Sequence, residues 1–260
     1  MKKISVFLLS ALSILFTTAC NKESTNNNNG TTKVAIRLTD APGDYEAVYI
    51  DVQSVTVETE TKGWIEVPLS RKGVYNLLDF RNGLDTLLCQ VDLPVGRMSQ
   101  IRMVLGANNA IKVGGVVYPL KTPSAMQSGL KFNVQHDLLT NVAYTIWIDF
   151  DASRSIVENG NGDYSLKPVI RTYTELTNGK IKGSVLPLYA FTVVYAINGA
   201  DTFSAIPNAD GSYVFCGLPE GSYTVQFDAK AGTGVADLEL KNVQVKFGVI
   251  TDLGKVVLIP

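Results

Sequence analysis

Residues 48–57 read Val-Tyr-Ile-Asp-Val-Gln-Ser-Val-Thr-Val. In an extended chain side chains alternate between two faces, so Val48, Ile50 and Val52 fall on one side. Val55 and Val57 fall on the other. The parity flips at Gln53-Ser54. A strand keeps one buried face through such a flip only with a bulge or a crossing between sheets. The same period recurs on both sides of this stretch. Val34, Ile36 and Leu38 alternate with Ala35, Arg37 and Thr39; Ile101, Met103 and Leu105 form another run, and Tyr144, Ile146, Ile148 and Phe150 a third.

Turn signals separate these runs: Asp40 to Asp44, Asn82-Gly83, Asn108-Asn109, Gly114-Gly115 and Asn161-Gly162. No long 3.6-residue period is present, and only residues 85–91 read as a short helix. After Leu176-Thr177-Asn178-Gly179 the strand pattern restarts with Phe191, Val193, Tyr195 and Ile197. Tyr223, Val225 and Phe227 follow, then Val243, Val245 and Phe247, and a final run from Val256 to Ile259. Asp210-Gly211 and Glu220-Gly221 are hairpin signals. The expectation is an all-β chain with two β-sandwich domains in tandem, Ig-like or transthyretin-like, over residues 33–176 and 179–260.

Composition narrows the function. The chain has 260 residues with 23 Lys and Arg against 24 Asp and Glu, a balance that gives no electrostatic footprint for nucleic acid. A single histidine excludes multi-histidine zinc or iron sites within one chain, and three cysteines do not make a disulfide framework.

The N-terminus reads as an address. Lys2 and Lys3 precede an apolar run from Ile4 to Phe16, 13 residues long. That suits a signal h-region and falls short of the roughly 20 residues of a membrane span. Thr17-Thr18-Ala19-Cys20 resembles a bacterial lipobox. The resemblance implies a signal peptide over residues 1–19, cleavage before Cys20 and acylation of Cys20 with palmitate-type chains, giving a membrane anchor. Residues 20–32, rich in Asn and Thr, lack apolar periodicity and read as a flexible tether. Asn21 stands where an aspartate would signal inner-membrane retention, which points to the outer membrane of a Gram-negative envelope. Lys22-Glu23 partly matches surface-export signals, so surface exposure is expected.

Two further resemblances cover the body. Gly183-Ser184-Val185, residues 208–215 and residues 217–225, above all the stretch DGSYVFCGLPEGSYTV, resemble the carboxypeptidase regulatory-like domain over residues 179–260. That family implies a transthyretin-type sandwich with an accessory role and no catalytic residues. Residues 33–174 resemble the bacterial lipoprotein family called domain of unknown function 4382. The pieces that carry this are VAIRLTDAPGDYEAVYIDVQSVTVE, LLDFRNG, LPVGRMSQIRMVL and IDFDASRSIVENGNGDYSLKPVIR. This family implies an envelope lipoprotein with a β-rich module and no known activity.

Thr145, Trp147, Asp149 and Asp151 share the face opposite Ile146 and Ile148. Trp147 with Asp149 and Asp151 is therefore the candidate ligand-binding group, a ring to stack a sugar beside carboxylates to bind its hydroxyls. Asp40, Asp149 and Asp151 are weak candidates for Ca²⁺, which takes 6–8 oxygens. The plainer reading is a tryptophan packed between sheets or domains, with solvated carboxylates. Asn159-Gly160-Asn161-Gly162-Asp163 supplies oxygens and glycines but lacks the bidentate acid of an EF-hand, and reads as a loop between strands. His136 stands alone, with no G-x-S-x-G elbow, Walker loop or H-E-x-x-H, so no catalytic residue is assigned. Cys89 and Cys216 read as two buried thiols in different domains, not as a bridge. The expected role is non-enzymatic: binding or presentation of a glycan or protein ligand, with no cofactor beyond the Ca²⁺ candidates. The alternative is a structural, assembly or adhesin-like subunit that pairs through sheet edges. A glycosidase or esterase is the weaker third reading.

Overall fold

The computed structural model describes residues 30–41, 43, 45–122 and 128–260. The architecture is all-β. The N-terminal part carries β1 (Thr31–Ala41), β2 (Ala47–Thr59), β3 (Gly63–Val67), β4 (Gly73–Asn76), β5 (Thr86–Pro94), β6 (Gly96–Leu105), β7 (Ala110–Val113), β8 (Val116–Lys121), β9 (Leu130–Leu138), β10 (Tyr144–Asp151), β11 (Ile156–Glu158), β12 (Tyr164–Leu166) and β13 (Ile170–Thr174). The C-terminal part carries β14 (Gly179–Leu186), β15 (Val193–Asn198), β16 (Asp201–Ala205), β17 (Ser212–Leu218), β18 (Gly221–Asp228), β19 (Leu238–Val245) and β20 (Ile250–Val257).

Each part packs two sheets. The N-terminal sandwich sets the order β13-β10-β1-β5 against a sheet ordered β11-β12-β8-β7-β2-β6-β9, with β3 and β4 also on β2. The C-terminal sandwich sets β17-β14-β20 against β16-β15-β18-β19. The buried apolar side chains gather into two clusters, one on each side of residues 175–178. β1 runs parallel to β10 and antiparallel to β5, which places it inside its sheet.

The parity flip in β2 is a bulge. Val52 pairs with Leu105 and Ser54 with Val104, so Gln53 is the extra residue. Val48, Ile50, Val52, Val55 and Val57 are all buried. Before the bulge β2 pairs with β7 and after it with β6. The kink buries Asp51, and Asn108 and Asn109 satisfy it: Asn108 donates to Oδ2 from its backbone N–H (3.1 Å) and its amide (3.0 Å), while the Asp51 N–H donates to the Asn109 side chain at 2.8 Å. The two asparagines are thus more than a turn signal. Asn108, with Gln53 on the other oxygen, supplies the donors that the buried carboxylate requires, and Asn109 satisfies the backbone N–H of the same residue.

Four expectations are corrected. Residues 85–91 form no helix: they lie mostly in β5, and the only helical turn nearby is a 3₁₀ turn at Leu77–Phe80. The register of β5 on β1 shifts between Ile36 and Arg37, so Leu88 is extra and both Leu88 and Cys89 are buried. Adjacent buried apolar residues break the alternation and imitate a helical pattern. Thr31 and Thr32 belong to β1 and not to the tether; Thr32 is buried and its hydroxyl donates to the Val142 carbonyl. Asp210-Gly211 and Glu220-Gly221 do not close hairpins. β16 pairs with β15, β17 with β14 and β18 with β15, so both turns carry the chain from one sheet to the other. Finally, the apolar run Phe191, Val193, Tyr195, Ile197 is not the core face of β15. Val194 and Ala196 are buried, and Phe191 lies outside the strand.

Candidate functional site

Tyr144, Ile146, Ile148 and Phe150 are buried in the N-terminal core, as their alternation predicts. The opposite face of β10 is covered as well. The register of β1, β10 and β13 lays down two cross-strand rows: Arg37, Trp147 and Tyr173, then Thr39, Asp149 and Arg171. Trp147 stacks on Tyr173 with centroids 5.3 Å apart and planes 7° from parallel. Its indole N–H donates to Asp85 Oδ2 at 2.7 Å, and Arg37 donates to Asp85 Oδ1 at 2.6 Å. Asp149 is 4 % exposed and meets Arg171 at 2.5 Å.

The cover is the C-terminal sandwich. Arg171 donates to the Cys216 carbonyl at 3.3 Å, and its guanidinium lies 4.2 Å from the centroid of Phe203. Gly217, at φ +68°, lies against the Tyr173 ring. The Asn82 amide donates to the Ile206 carbonyl at 3.0 Å and to Asn208 Oδ1 at 2.8 Å. Thr39, Asp40, Asn82, Gly83, Asp149, Arg171 and Tyr173 share one narrow space with Ser204, Val214, Phe215 and Cys216. The Trp147–Asp149–Asp151 group therefore borders the contact between the sandwiches: Asp149 is tied to it through Arg171, and Trp147 stacks on Tyr173, which meets Gly217. Sequence periodicity placed these residues on one face, but what covers that face is decided by tertiary packing. The docking role of Asn82-Gly83 was missed, since the dipeptide reads as an ordinary turn.

Each of the Ca²⁺ candidates has protein partners. Asp40 is buried and accepts the Ala152 N–H at 3.0 Å. Asp151 caps the short helix Ala152–Ser155, accepting from Arg154 N–H and Ser153 Oγ. Asp149 is engaged by Arg171. Among the described residues no group of three His, Cys, Asp or Glu side chains stands ready to hold a metal ion. Burial pushes the Asp40 carboxyl well above the ordinary range; the Ala152 N–H opposes this, and Asp149 and Asp151 add to it. Burial also raises Asp149, against the pull of Arg171. Asp44 and Cys20 lie outside the described residues.

The remaining singled-out residues have structural surroundings. Asn159 to Asp163 link β11 to β12, with Asp163 held by Lys121 and Asn161. His136 meets Tyr144 edge-on, centroids 5.2 Å apart. Cys89 and Cys216 are free thiols. Burial pushes Cys89 up to about 12 and also raises Cys216.

A wide opening lies elsewhere, at one end of the C-terminal sandwich. There the β14–β15, β16–β17 and β18–β19 connections meet around a pocket of about 820 Å³. Leu188, Tyr189 and Phe191 are exposed there at 50 %, 59 % and 69 %. Phe191 sits in the left-handed region at φ +45°, ψ +44°, held by its N–H to the Leu188 carbonyl. Lys230 Nζ stands 5.5 Å from the centre of its ring, and the Lys230 N–H donates to Ala190.

Two β-sandwiches joined by a polar contact, with a pocket at one end of the second, make up the described chain. The sequence pattern of the domain of unknown function DUF4382 matches residues 31–168, more than half of the chain, and the protein belongs to that family. No curated protein matches the chain. Among solved structures it is similar to the Bacillus anthracis TIE protein, at 12 % identity and a TM-score of 0.25, covering 88 % of this chain and 35 % of that one. The chain thus spans about a third of that protein's length. The shaft pilin SpaA of Lactobacillus rhamnosus GG gives 8 % identity and a TM-score of 0.23 over 88 % of this chain and 98 % of the pilin. GBS52, the minor pilin of Streptococcus agalactiae, gives 10 % and 0.23 over 88 % and 97 %.

Proposed function

We propose that this protein is a non-enzymatic lipoprotein, acylated at Cys20, that holds a ligand-binding module off the outer membrane at the cell surface. The observation that carries the binding role is the exposed cluster of Leu188, Tyr189 and Phe191 beside the open pocket. Loops on a rigid scaffold are where binding residues concentrate, and contiguous exposed apolar side chains mark interaction surfaces. Two of the carboxylates on the β10 side are engaged in structure: Asp149 pairs with Arg171, and Asp85 holds Arg37 and Trp147. The anchor rests on Lys2, Lys3, the apolar run and Cys20. The carboxypeptidase regulatory-like reading of residues 179–260 rests on the sequence resemblance, and a sandwich of three strands on four is compatible with it.

The second reading is a structural or adhesin-like subunit. It is favoured by β20, an edge strand with Ile250 and Val257 exposed. Against strand addition stand Lys255, Gly254 at φ +65° and the register shift opposite Lys182–Ser184, all of which blunt an edge. Palmitate labelling and membrane fractionation of Cys20→Ala test the anchor. Loss of label with release from membranes is expected; retained labelling sinks the proposal.

A further inference from the structure

We propose that the pocket at the end of the C-terminal sandwich binds a neutral oligosaccharide, with the apolar face of one sugar ring on Phe191 and its hydroxyls on Asp228 and Lys230. This deepens the binding-module reading and rests on it.

The first observation is conformational. An aromatic residue in the left-handed region is an outlier, and such strain persists only where the surroundings hold it. Here the surroundings are explicit. Ala190 is buried and anchors the turn, its N–H donates to the Pro187 carbonyl at 3.0 Å, and its own carbonyl accepts the Lys230 N–H at 2.9 Å. The ring that this arrangement presents is 69 % exposed and contributes little to the core. The strain holds the ring at the surface, with Lys230 Nζ 5.5 Å over one of its faces.

The second observation is the charge of the rim. Asp228 offers an acceptor and Lys230 a donor, and neither makes an ion pair among the described residues. The two formal charges cancel. An anionic ligand meets Asp228, a cationic one meets Lys230, and a hydrocarbon chain desolvates both without replacing their partners. A neutral polyhydroxyl ligand uses both, because each hydroxyl donates and accepts. Thr192, in the pocket wall, is buried with a hydroxyl that lacks a partner among the described residues, so the wall is not purely apolar.

The third observation is size and shape. About 820 Å³ lies toward the upper end of ligand pockets and exceeds the need of one sugar ring. The pocket is lined by Leu188 as well as Phe191, and both are exposed. A chain of several sugars fits that extent.

The test is calorimetric titration of the full chain with maltohexaose, cellohexaose and mannohexaose, with dodecanoate and an alanine tetrapeptide as controls. At least one of the oligosaccharides is expected to bind. Phe191→Gly is the decisive variant, because glycine accepts the left-handed backbone and only the ring is lost. It should keep or raise the melting temperature and weaken that sugar roughly two- to twelvefold, the range for one aromatic stack. Lys230→Met and Asp228→Asn should each weaken it as well. Three silent titrations, an affinity unchanged in Phe191→Gly, or displacement of the sugar by dodecanoate would overturn the proposal. Silent titrations alongside release of Cys20→Ala from membranes would remove the sugar site and leave the anchored module standing. Binding alongside membrane retention of Cys20→Ala would do the reverse.

Discussion

Gly217 lies so close to the ring of Tyr173 that a single added methyl would overlap Cδ1 and Cγ of that ring. The two residues belong to different sandwiches, and the glycine also occupies φ +68°. Gly217→Ala therefore meets two costs, a strained backbone and a steric clash, and should destabilise the protein by about 2–3 kcal/mol. The damage should centre on the contact between sandwiches. Urea unfolding of a Trp64→Phe background followed by tryptophan fluorescence, which then reports on Trp147 stacked on Tyr173, is expected to shift to lower midpoint. An unchanged midpoint would mean that the ring moves aside freely.

Arg171 neutralises Asp149 where water is largely excluded. Removing one member of such a pair leaves the other charge uncompensated, so Arg171→Met should cost about 3 kcal/mol near neutral pH. The cost should shrink on acidification, because the stranded Asp149 escapes its penalty by taking up a proton. Denaturation midpoints at neutral and mildly acidic pH measure both effects.

Asp40 gives a second pH signature, of definite sign. Its carboxyl is raised in the folded state by burial, so the folded protein holds the proton more tightly than the unfolded chain does. Stability from this group is complete below the unfolded value of about 3.9 and is lost as pH rises toward the folded value. Asp40→Asn keeps an acceptor for the Ala152 N–H and removes the titration. It should raise stability at neutral pH by on the order of 1 kcal/mol and flatten the profile. A steeper dependence in the variant would contradict the burial argument.

The thiols offer a chemical test. Cys89 is pushed up to about 12, and Cys216 is raised and shielded beside Tyr173. Since the thiolate is the reactive form, both should resist alkylation in the native protein and react promptly in denaturant. Mass spectrometry of iodoacetamide-treated samples reads this directly, and rapid native labelling of Cys89 would show that its strand opens.

Much of the scaffold was legible because strands encode burial with period two. Val34, Ile36 and Leu38, and Ile146 with Ile148, could be placed without coordinates, and the flip at Gln53 announced its bulge. The helix expected at 85–91 failed because the extra residue Leu88 puts two apolar side chains side by side. The site was less legible. Trp147 and Asp149 were rightly assigned to the face opposite Ile146 and Ile148, but periodicity carries no information on a second sandwich arriving over that face. Phe191 was hidden in an apparent strand run; its exposure depends on a backbone angle that no side-chain pattern announces. Cys20 rests on a local motif, which sequence can display in full.

β1 enters its sheet at Thr31, between β10 running parallel and β5 running antiparallel. Thr174, near the point where the chain leaves β13, pairs with Ile146, and Ile146 pairs with Ile36. The chain therefore enters and leaves this sheet at the same end. A pull between the residues before Thr31 and the second sandwich loads β1 and β13 at that one end, where ladder hydrogen bonds open one after another and do not share the load in shear. Resistance to such pulling is set by the rate of barrier crossing and not by equilibrium stability. Under the anchoring proposed at Cys20, the first sandwich would act as a yielding link that unzips under tension.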